Sequence, residues 1–274
     1  MKSLLIVGGS GFIGRNLINK CTKLEYKITV TFYKNYIDDL KDNKKIKLTF
    51  LDITDDKKVR EFFSNNYFDY IVNLSGYIQH NNVLDNGIIT FKDHINGIIN
   101  IVEATKNKFP KTLVQIGSSD EYGDNLAPQQ ESLAERPFTP YALAKTTATK
   151  FCQMCFKSIN YPCVILRPFI VFGPYQKKDR LIPFVIDSCI KDVEFEIKSG
   201  SKIRDFIHID NLTEYIIKCF DNKSIYGEII NIGSGKKRTV KSIVEYIKSY
   251  IGKGIPKYED QISTKYENDS LIAD

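Results

Sequence analysis

SLLIVGGSGFIG, residues 3–14, decides the reading of this chain. Its first half, SLLIV (3–7), is a short apolar run of the kind that forms a buried strand. GGSGFIG (8–14) follows at once, and RNLINKCTKL (15–24) then carries a polar-apolar helical pattern. A buried strand, a glycine-rich turn and a helix form the arrangement that binds a dinucleotide. Gly8 lets the chain turn sharply, Gly11 lets the backbone approach a pyrophosphate, and Gly14 lets the helix pack close to the strand. The helix N-terminus offers N–H groups and a partial positive charge to the phosphates. The spacing is Gly-x-x-Gly-x-x-Gly rather than Gly-x-Gly-x-x-Gly. Gly8, Gly11, Phe12, Ile13 and Gly14 are therefore the first cofactor-binding candidates.

With 274 residues, 42% of them hydrophobic, the chain has material for one large domain or one and a half. The net charge of +6 comes from lysines spread along the whole chain. That pattern reads as a solvated surface and speaks against nucleic acid as a partner, while suiting an anionic nucleotide substrate. The run before Gly8 is too short for the apolar region of a leader. No stretch approaches the ~20 apolar residues that span a bilayer, so a cytoplasmic protein without a membrane partner is expected. Its six cysteines are then expected to be reduced. Cys152 and Cys155 make a C-x-x-C inside a helical pattern with no second pair. They read as packing residues, and no metal is expected.

Outward from the glycine turn, apolar runs and helical patterns alternate. Strands are predicted at KITVTF (27–32), KLTFLD (47–52), DYIVNLS (69–75), TLVQIGS (112–118), 163–167 and 228–232. Helices are predicted over 54–65, 93–108 (carrying Asn96), 138–158, 184–191 and 240–251, with short strands near 194–199. This alternation implies an α/β fold: a Rossmann-type doubly wound parallel sheet with a smaller, interleaved C-terminal substrate lobe. Residues 1–170, with 206–234 returning to them, are assigned to the dinucleotide-binding domain, and 171–205 and 235–274 to the lobe. Ligands in such sheets gather at the C-terminal strand ends. A dinucleotide site usually places an acid at the end of the second strand to hold the ribose hydroxyls. Here that position holds Phe32, then Tyr33 and Lys34, and Asp38 and Asp39 lie too far on. A cation without a carboxylate favours NADP(H), with NAD(H) as the alternative; Arg15 is a second cation in reach of a 2′-phosphate.

Tyr141 and Lys145 are four apart on a helical pattern and share one face. The strand end GSSDEYG (117–123) lies one crossover before them. Ser118, Tyr141 and Lys145 are expected to converge beside a nicotinamide held at the glycine turn. Tyrosine titrates near pH ~10, and bringing it ~3 units down needs roughly 4 kcal/mol of preferential phenolate stabilisation. A nearby ammonium is the kind of group that supplies it.

GGSGFIG (8–14), LDITD (51–55), NLSG (73–76), GSSDEYG, YALAK (141–145), LRPFIVFGP (166–174) and RDFIHIDNL (204–212) together resemble the extended short-chain dehydrogenase/reductases, the NAD(P)-dependent nucleotide-sugar epimerases, dehydratases and 4-ketoreductases. The resemblance covers nearly the whole chain. It implies Tyr141 as acid/base, Lys145 as its partner and Ser118 as third member. It implies Asp52 and Ile53 at the adenine, Leu74, Ser75 and Gly76 along the cofactor, and Pro168 and Phe169 beside the nicotinamide. Arg204 is implied at the diphosphate of a nucleotide-sugar substrate, with Ser119 also at the substrate; a salt bridge to Asp205 is the competing role for Arg204. Residues 181–184 and 198–204 are expected to line the base pocket. In this family the helices holding Lys108 and Tyr141 commonly build a homodimer. Relatives often run on past a segment like LIAD (271–274) with a further helix; here the polar KYENDS (265–270) before it is expected to be mobile.

Three reactions compete within the family. Aligned on Tyr122-Gly123, a 4,6-dehydratase pattern Ser-Thr-Asp-Glu-Val-Tyr-Gly puts Asp120 on its glutamate and Ser119 on its aspartate, leaving one acid in register and Glu121 adjacent. A 4-epimerase usually has an acidic ribose-binding residue where this chain has Phe32. QIGSSDEYG (115–123) is similar to 4-keto-6-deoxymannose reductases. The favoured expectation is NADPH-dependent reduction of a nucleotide-linked 4-keto-6-deoxyhexose, with epimerase or dehydratase as alternatives. A non-catalytic NADP-binding sensor is the reading from another class; it predicts a damaged Ser/Tyr/Lys set.

Overall fold

Successive side chains of the opening strand, β1 (Lys2–Val7), point to opposite faces, and both faces are covered. In the computed structural model, which describes residues 1–34, 40, 43–78, 82–259 and 268–274, Leu4 and Ile6 enter one apolar cluster and Leu5 and Val7 another. Double burial is why the strands read as apolar runs rather than as alternating ones. Asp38 and Asp39 lie outside the described residues.

The chain continues through α1 (Phe12–Cys21), β2 (Tyr26–Phe32), β3 (Ile46–Phe50), α2 (Asp56–Ser64) and β4 (Tyr70–Asn73). A π-type turn (Val83–Gly87) leads into α3 (Ile88–Thr105), then β5 (Thr112–Ile116), a 3₁₀ turn (Ser119–Tyr122), α4 (Pro140–Ile159) and β6 (Cys163–Pro168). Next come β7 (Ile170–Phe172), α5 (Leu181–Ile190), β8 (Glu194–Lys198), β9 (Ile203–Arg204), β10 (Phe206–His208) and α6 (Ile209–Lys218). The last elements are β11 (Ile229–Ile232), β12 (Arg238–Thr239), α7 (Val240–Ile251), β13 (Ile255–Glu259) and β14 (Ser270–Leu271).

Seven strands form one parallel sheet in the order β11-β6-β5-β4-β1-β2-β3. Leu17 and Ile18 of α1 and Ile216 of α6 pack on one face, and Ile98 and Ile101 of α3 with Ala148 and Cys152 of α4 on the other. This is the doubly wound Rossmann-like fold. The strand order reverses where β1 lies between β2 and β4, which opens the ligand crevice of such sheets. Away from the sheet, Val185 and Cys189 of α5, Phe195 and Ile197 of β8, and Val240 and Val244 of α7 make a separate cluster.

Three departures from expectation have local causes. The helix predicted from 93 begins at Ile88, because Asn82 Oδ1 accepts the N–H groups of Leu84 and Asp85 and starts the turn early. Helix α6 was not foreseen; Ile209, Leu212, Thr213 and Ile216 bury one helical face. The tail is anchored where it is described: Asn268 Nδ2 donates to Gly123 O and Asn125 O, β14 pairs with β9, and Leu271, Ile272 and Ala273 are buried. Residues 260–267 lie outside the described residues.

Candidate active site

Three of the four glycines of the opening turn, Gly8, Gly11 and Gly14, differ in what a side chain would meet. Gly8 has φ +70°, and a Cβ there would sit 2.9 Å from Ser75 Cα. A Cβ on Gly14 would meet Gly9 O at 2.3 Å, so the helix could not lie against its own turn. Gly11 has φ −78° and would place a Cβ no nearer than 3.8 Å to Gly8 O. The fold does not require a glycine there, so the space beside the start of α1 is the feature that fits a pyrophosphate. Gly11 is also the N-cap and has no side chain to satisfy the first helical N–H groups. The Phe12 and Ile13 side chains pack against the core, which leaves their backbone for a ligand.

Across the crevice, β4 ends in Asn73, whose Oδ1 accepts the N–H and hydroxyl of Ser75 and whose Nδ2 donates to Gln115 Oε1 at 2.8 Å. This fixes the turn through Leu74, Ser75 and Gly76 beside Gly8. Next to it, β5 leads to Ser118, the N-cap of the 3₁₀ turn. Ser118 Oγ accepts the Asp120 N–H at 3.2 Å, and its backbone N–H donates to Glu121 Oε1 at 2.8 Å. Thr139 caps α4 through Ala142 N, Pro140 takes the first helical position, and Tyr141 and Lys145 follow one turn apart. Ser118 hydrogen-bonds the Tyr141 hydroxyl. Lys145 Nζ donates to Ile116 O at 2.9 Å and lies 5.8 Å from the Tyr141 ring centroid. The structure therefore brings Ser118, Tyr141 and Lys145 together, all deeply buried, at the C-terminal edge of β4 and β5.

Electrostatics in the crevice differ from the sequence expectation. Burial first, then the Asp120 carboxylate, pushes the Tyr141 phenol above the usual tyrosine range; the Ser118 hydrogen bond opposes them. Lys145 is spent on a backbone carbonyl, so burial wins over the anticipated lowering. Burial lowers Lys145 to about 8, against the pull of Glu121 and then Asp120.

The remaining candidates occupy varied settings. Asp52 Oδ1 accepts from Thr54 N and Oγ1, and Ile53 rests against Gly97 of α3. The Lys34 ammonium lies 5.6 Å over the Tyr33 ring, and Phe50 packs against both Phe32 and Tyr33. Arg15 stacks its guanidinium 4.6 Å from the Tyr175 ring centroid. Ser119 is buried. Pro168 ends β6, while the Phe169 ring packs with Tyr122, Leu271 and Ala273. Arg204 is buried and Nη1 donates to Ile203 O and Asp269 O. Asp205 accepts from Ser234 N and Oγ, Gly235 N and Ala273 N, backbone duties that neither sequence reading of Arg204 had foreseen. All six cysteines are buried free thiols. Among the described residues, no cluster of His, Cys, Asp or Glu suits a metal ion and no helix is long and apolar enough to cross a membrane.

Sequence reading missed three residues at the site. His94, not the exposed Asn96, faces inward from α3. Its ring meets Tyr141 edge-on at 5.5 Å, and Nε2 lies 3.2 Å from Tyr77 O. Burial and then Lys145 lower it to about 3, so the ring is neutral and must donate from Nε2 to that carbonyl. The available signal was a polar residue within the buried stripe Thr90, His94, Gly97, Ile98, Ile101. Arg167, fully buried at the end of β6, bridges Glu121 and Glu135; a charge inside an apolar strand was the hint that partners exist. Arg180, the N-cap of α5, acts on Tyr141 as a nearby positive charge.

Comparison with known proteins agrees with this geometry. A model of the NAD dependent epimerase/dehydratase family matches residues 4–233. An uncharacterized UDP-glucose epimerase of Bacillus subtilis is 25% identical over 97% of this chain and 87% of its own. A dTDP-D-glucose 4,6-dehydratase of Dictyostelium discoideum is 26% identical over 85% of this chain and 58% of its own. A solved UDP-glucuronic acid 4-epimerase from Bacillus cereus, in complex with UDP-glucuronic acid and NAD, superposes with a TM-score of 0.89 at 23% identity, over 99% of this chain and 90% of that one. The chain belongs to the NAD dependent epimerase/dehydratase family, within the extended short-chain dehydrogenase/reductases.

Proposed function

We propose that this chain oxidises or reduces C4 of a hexose carried on a nucleoside diphosphate, with Tyr141 exchanging the hydroxyl proton. The observation that carries the reading is the Ser118–Tyr141 hydrogen bond with Lys145 one turn away, set at the strand ends beside the Gly8–Gly14 turn. A bound NAD(P)⁺ supplies the hydride acceptor and a positive ring that favours phenolate. Gly11, the first N–H groups of α1, Leu74 to Gly76, Asp52, Ile53, Pro168 and Phe169 would hold it. Tyr141 takes the proton from the C4 hydroxyl as the C–H bond breaks, leaving a 4-ketose. Ser118 holds the C4 oxygen. Lys145, charged below pH about 8, stabilises the phenolate. Arg180 and Arg204 offer the second lobe's positive charge to the diphosphate.

Hydride returned to the other face of C4 would give the epimer; removal of the C5 proton with loss of the C6 hydroxyl as water, and hydride returned to C6, would give the 4-keto-6-deoxy product of a dehydratase. Asp120, whose carboxylate acts on Tyr141, is the acid available for the second course. Glu121 is not, because Ser118 N, Thr149 and Arg167 occupy its oxygens. A second reading, reduction of a preformed 4-keto-6-deoxyhexose by NADPH, is favoured by Lys34 and by the absence of a carboxylate among the described residues that close β2. Ile88 and Ile89 on α3 and Leu143 and Met154 on α4 are exposed apolar residues that suit a homodimer through these helices.

Purified protein with NAD⁺ or NADP⁺ and a panel of UDP-, dTDP- and GDP-hexoses, beside NADPH and NADH with nucleotide 4-keto-6-deoxyhexoses, separates the readings. Epimer or 4-keto-6-deoxy product without net cofactor turnover supports the first; NADPH consumption only with 4-ketoses supports the second. Binding without turnover in every arm would indicate a sensor.

A further inference from the structure

We infer that Glu121 is a positioning residue, whose carboxylate ties the Ser118 turn to α4 and so sets how Ser118 and Lys145 meet Tyr141. The inference rests on the reading of those three residues as the reacting set. Glu121 is fully buried, and its two oxygens reach different elements. Oε1 accepts the Ser118 N–H at 2.8 Å, and Oε2 accepts the Thr149 hydroxyl at 2.8 Å. Thr149 lies one helical turn beyond Lys145 on α4. From β6, Arg167 brings Nε to within 3.0 Å and Nη2 to within 2.7 Å of Oε2. Arg167 Nη2 also meets Glu135 at 2.6 Å, and Glu135 meets Lys150 of α4 at 2.8 Å.

A buried carboxylate needs this compensation; burial alone raises Glu121, and Arg167, Ser118 N and Thr149 pull it back. The neighbouring backbone is shaped around it, since a Cβ on Gly117 would stand 2.5 Å from Oε1. Glu121 fixes the backbone of the cap, and the Asp120 N–H occupies a lone pair of Ser118 Oγ, so the Ser118 proton is left to Tyr141. The groups facing Lys145 are Glu121 and Asp120 from the turn, His94 from α3 and Tyr141 from its own helix. Glu121 is the largest of the influences that keep the proton on Lys145. Position and charge thus come from one buried side chain whose oxygens are held by Ser118 N, Thr149 and Arg167.

The test uses Glu121→Gln and Thr149→Val in the full chain. Thr149→Val removes one hydroxyl and leaves the Glu121–Arg167 pair intact, so it remains informative where Glu121→Gln fails to fold. Crystal structures of the variants are expected to show the Ser118–Tyr141 hydrogen bond lengthened or broken. With substrate, kcat is expected to fall about 10- to 100-fold while the cofactor KM stays within about threefold. In Glu121→Gln, the loss of rate on the basic side is expected to move down by about one pH unit, as Lys145 loses its proton more readily. Unchanged Ser118–Tyr141 geometry in the Thr149→Val crystal, or an unchanged kcat and basic limb, overturns the proposal. If the parent chain turns over no nucleotide hexose, the catalytic reading fails and the crystals alone decide the role of Glu121.

Discussion

Replacing Lys145 with methionine is expected to stabilise the ligand-free protein at pH 7 while ending its chemistry. Lys145 is 6% exposed and its ammonium is lowered to about 8, chiefly by burial. An unfolded lysine titrates near 10.4, so holding the charge in the fold costs about 3 kcal/mol at pH 7. Below pH about 8 the penalty is complete. Between there and pH ~10.4 the unfolded chain binds more protons than the folded one, so stability rises with pH, and at pH 10 less than about 1 kcal/mol of the penalty remains. Methionine forfeits the bond to Ile116 O, about 1 kcal/mol, but Gln115 Nε2 still reaches that carbonyl at 3.2 Å. The net gain is about 2 kcal/mol at pH 7. Urea unfolding of both proteins at pH 7 and pH 10 measures it. A variant less stable than the parent at pH 7, or a gap identical at both pH values, would refute the reasoning.

Further outcomes follow from single side chains. Tyr141→Phe should lower kcat by about 10²- to 10⁴-fold and leave cofactor affinity within about threefold, measured by steady-state kinetics and cofactor titration; undiminished turnover removes the acid/base assignment. Gly11→Ala should keep its thermal midpoint yet lose at least about 1.4 kcal/mol, tenfold, in NAD(P) affinity, whereas Gly14→Ala should unfold at markedly lower temperature, since its Cβ meets Gly9 O. Equal behaviour of the two would contradict the split between fold and ligand glycines. His94 titrates near 3 in the fold and near 6.5 unfolded, so stability is lost as pH falls through that window, by roughly 5 kcal/mol. His94→Gln should therefore unfold at lower pH than the parent in an acid titration followed by circular dichroism; an unchanged midpoint would count against it.

The sheet was legible because its central strands, β1, β4, β5 and β6, are buried on both faces and appear as apolar runs, whereas the edge strands β3 and β11 are only partly buried. Ser118, Tyr141 and Lys145 were legible because helical spacing and a strand end fix their relation in advance. The short strands β7, β9, β10, β12 and β14 were not foreseen. Pairs of two or three residues are held by distant partners, as Leu271 is by Arg204, and carry no period of their own. The anchored tail was misread for the same reason: Asn268 is polar, but its amide closes onto Gly123 O and Asn125 O. Charge was the least readable quantity. Lysine beside tyrosine promised a lowered phenol, yet Ile116 O claims the ammonium and burial sets the balance. Glu121 looked like a second acid until Arg167 was found beneath it.

The most direct measurement follows a label. Nucleotide hexoses and 6-deoxyhexoses carrying deuterium at C4 are incubated with the protein and NAD⁺ or NADP⁺, and the recovered sugar and cofactor are both weighed by mass spectrometry. Deuterium kept at C4 of an epimer, moved to C6 of a 4-keto-6-deoxy product, or found on the nicotinamide after net oxidation of a 6-deoxyhexose, with all three outcomes lost in Tyr141→Phe, is the predicted result. Turnover of the sugar with its C4 deuterium released to water would contradict hydride exchange at this crevice.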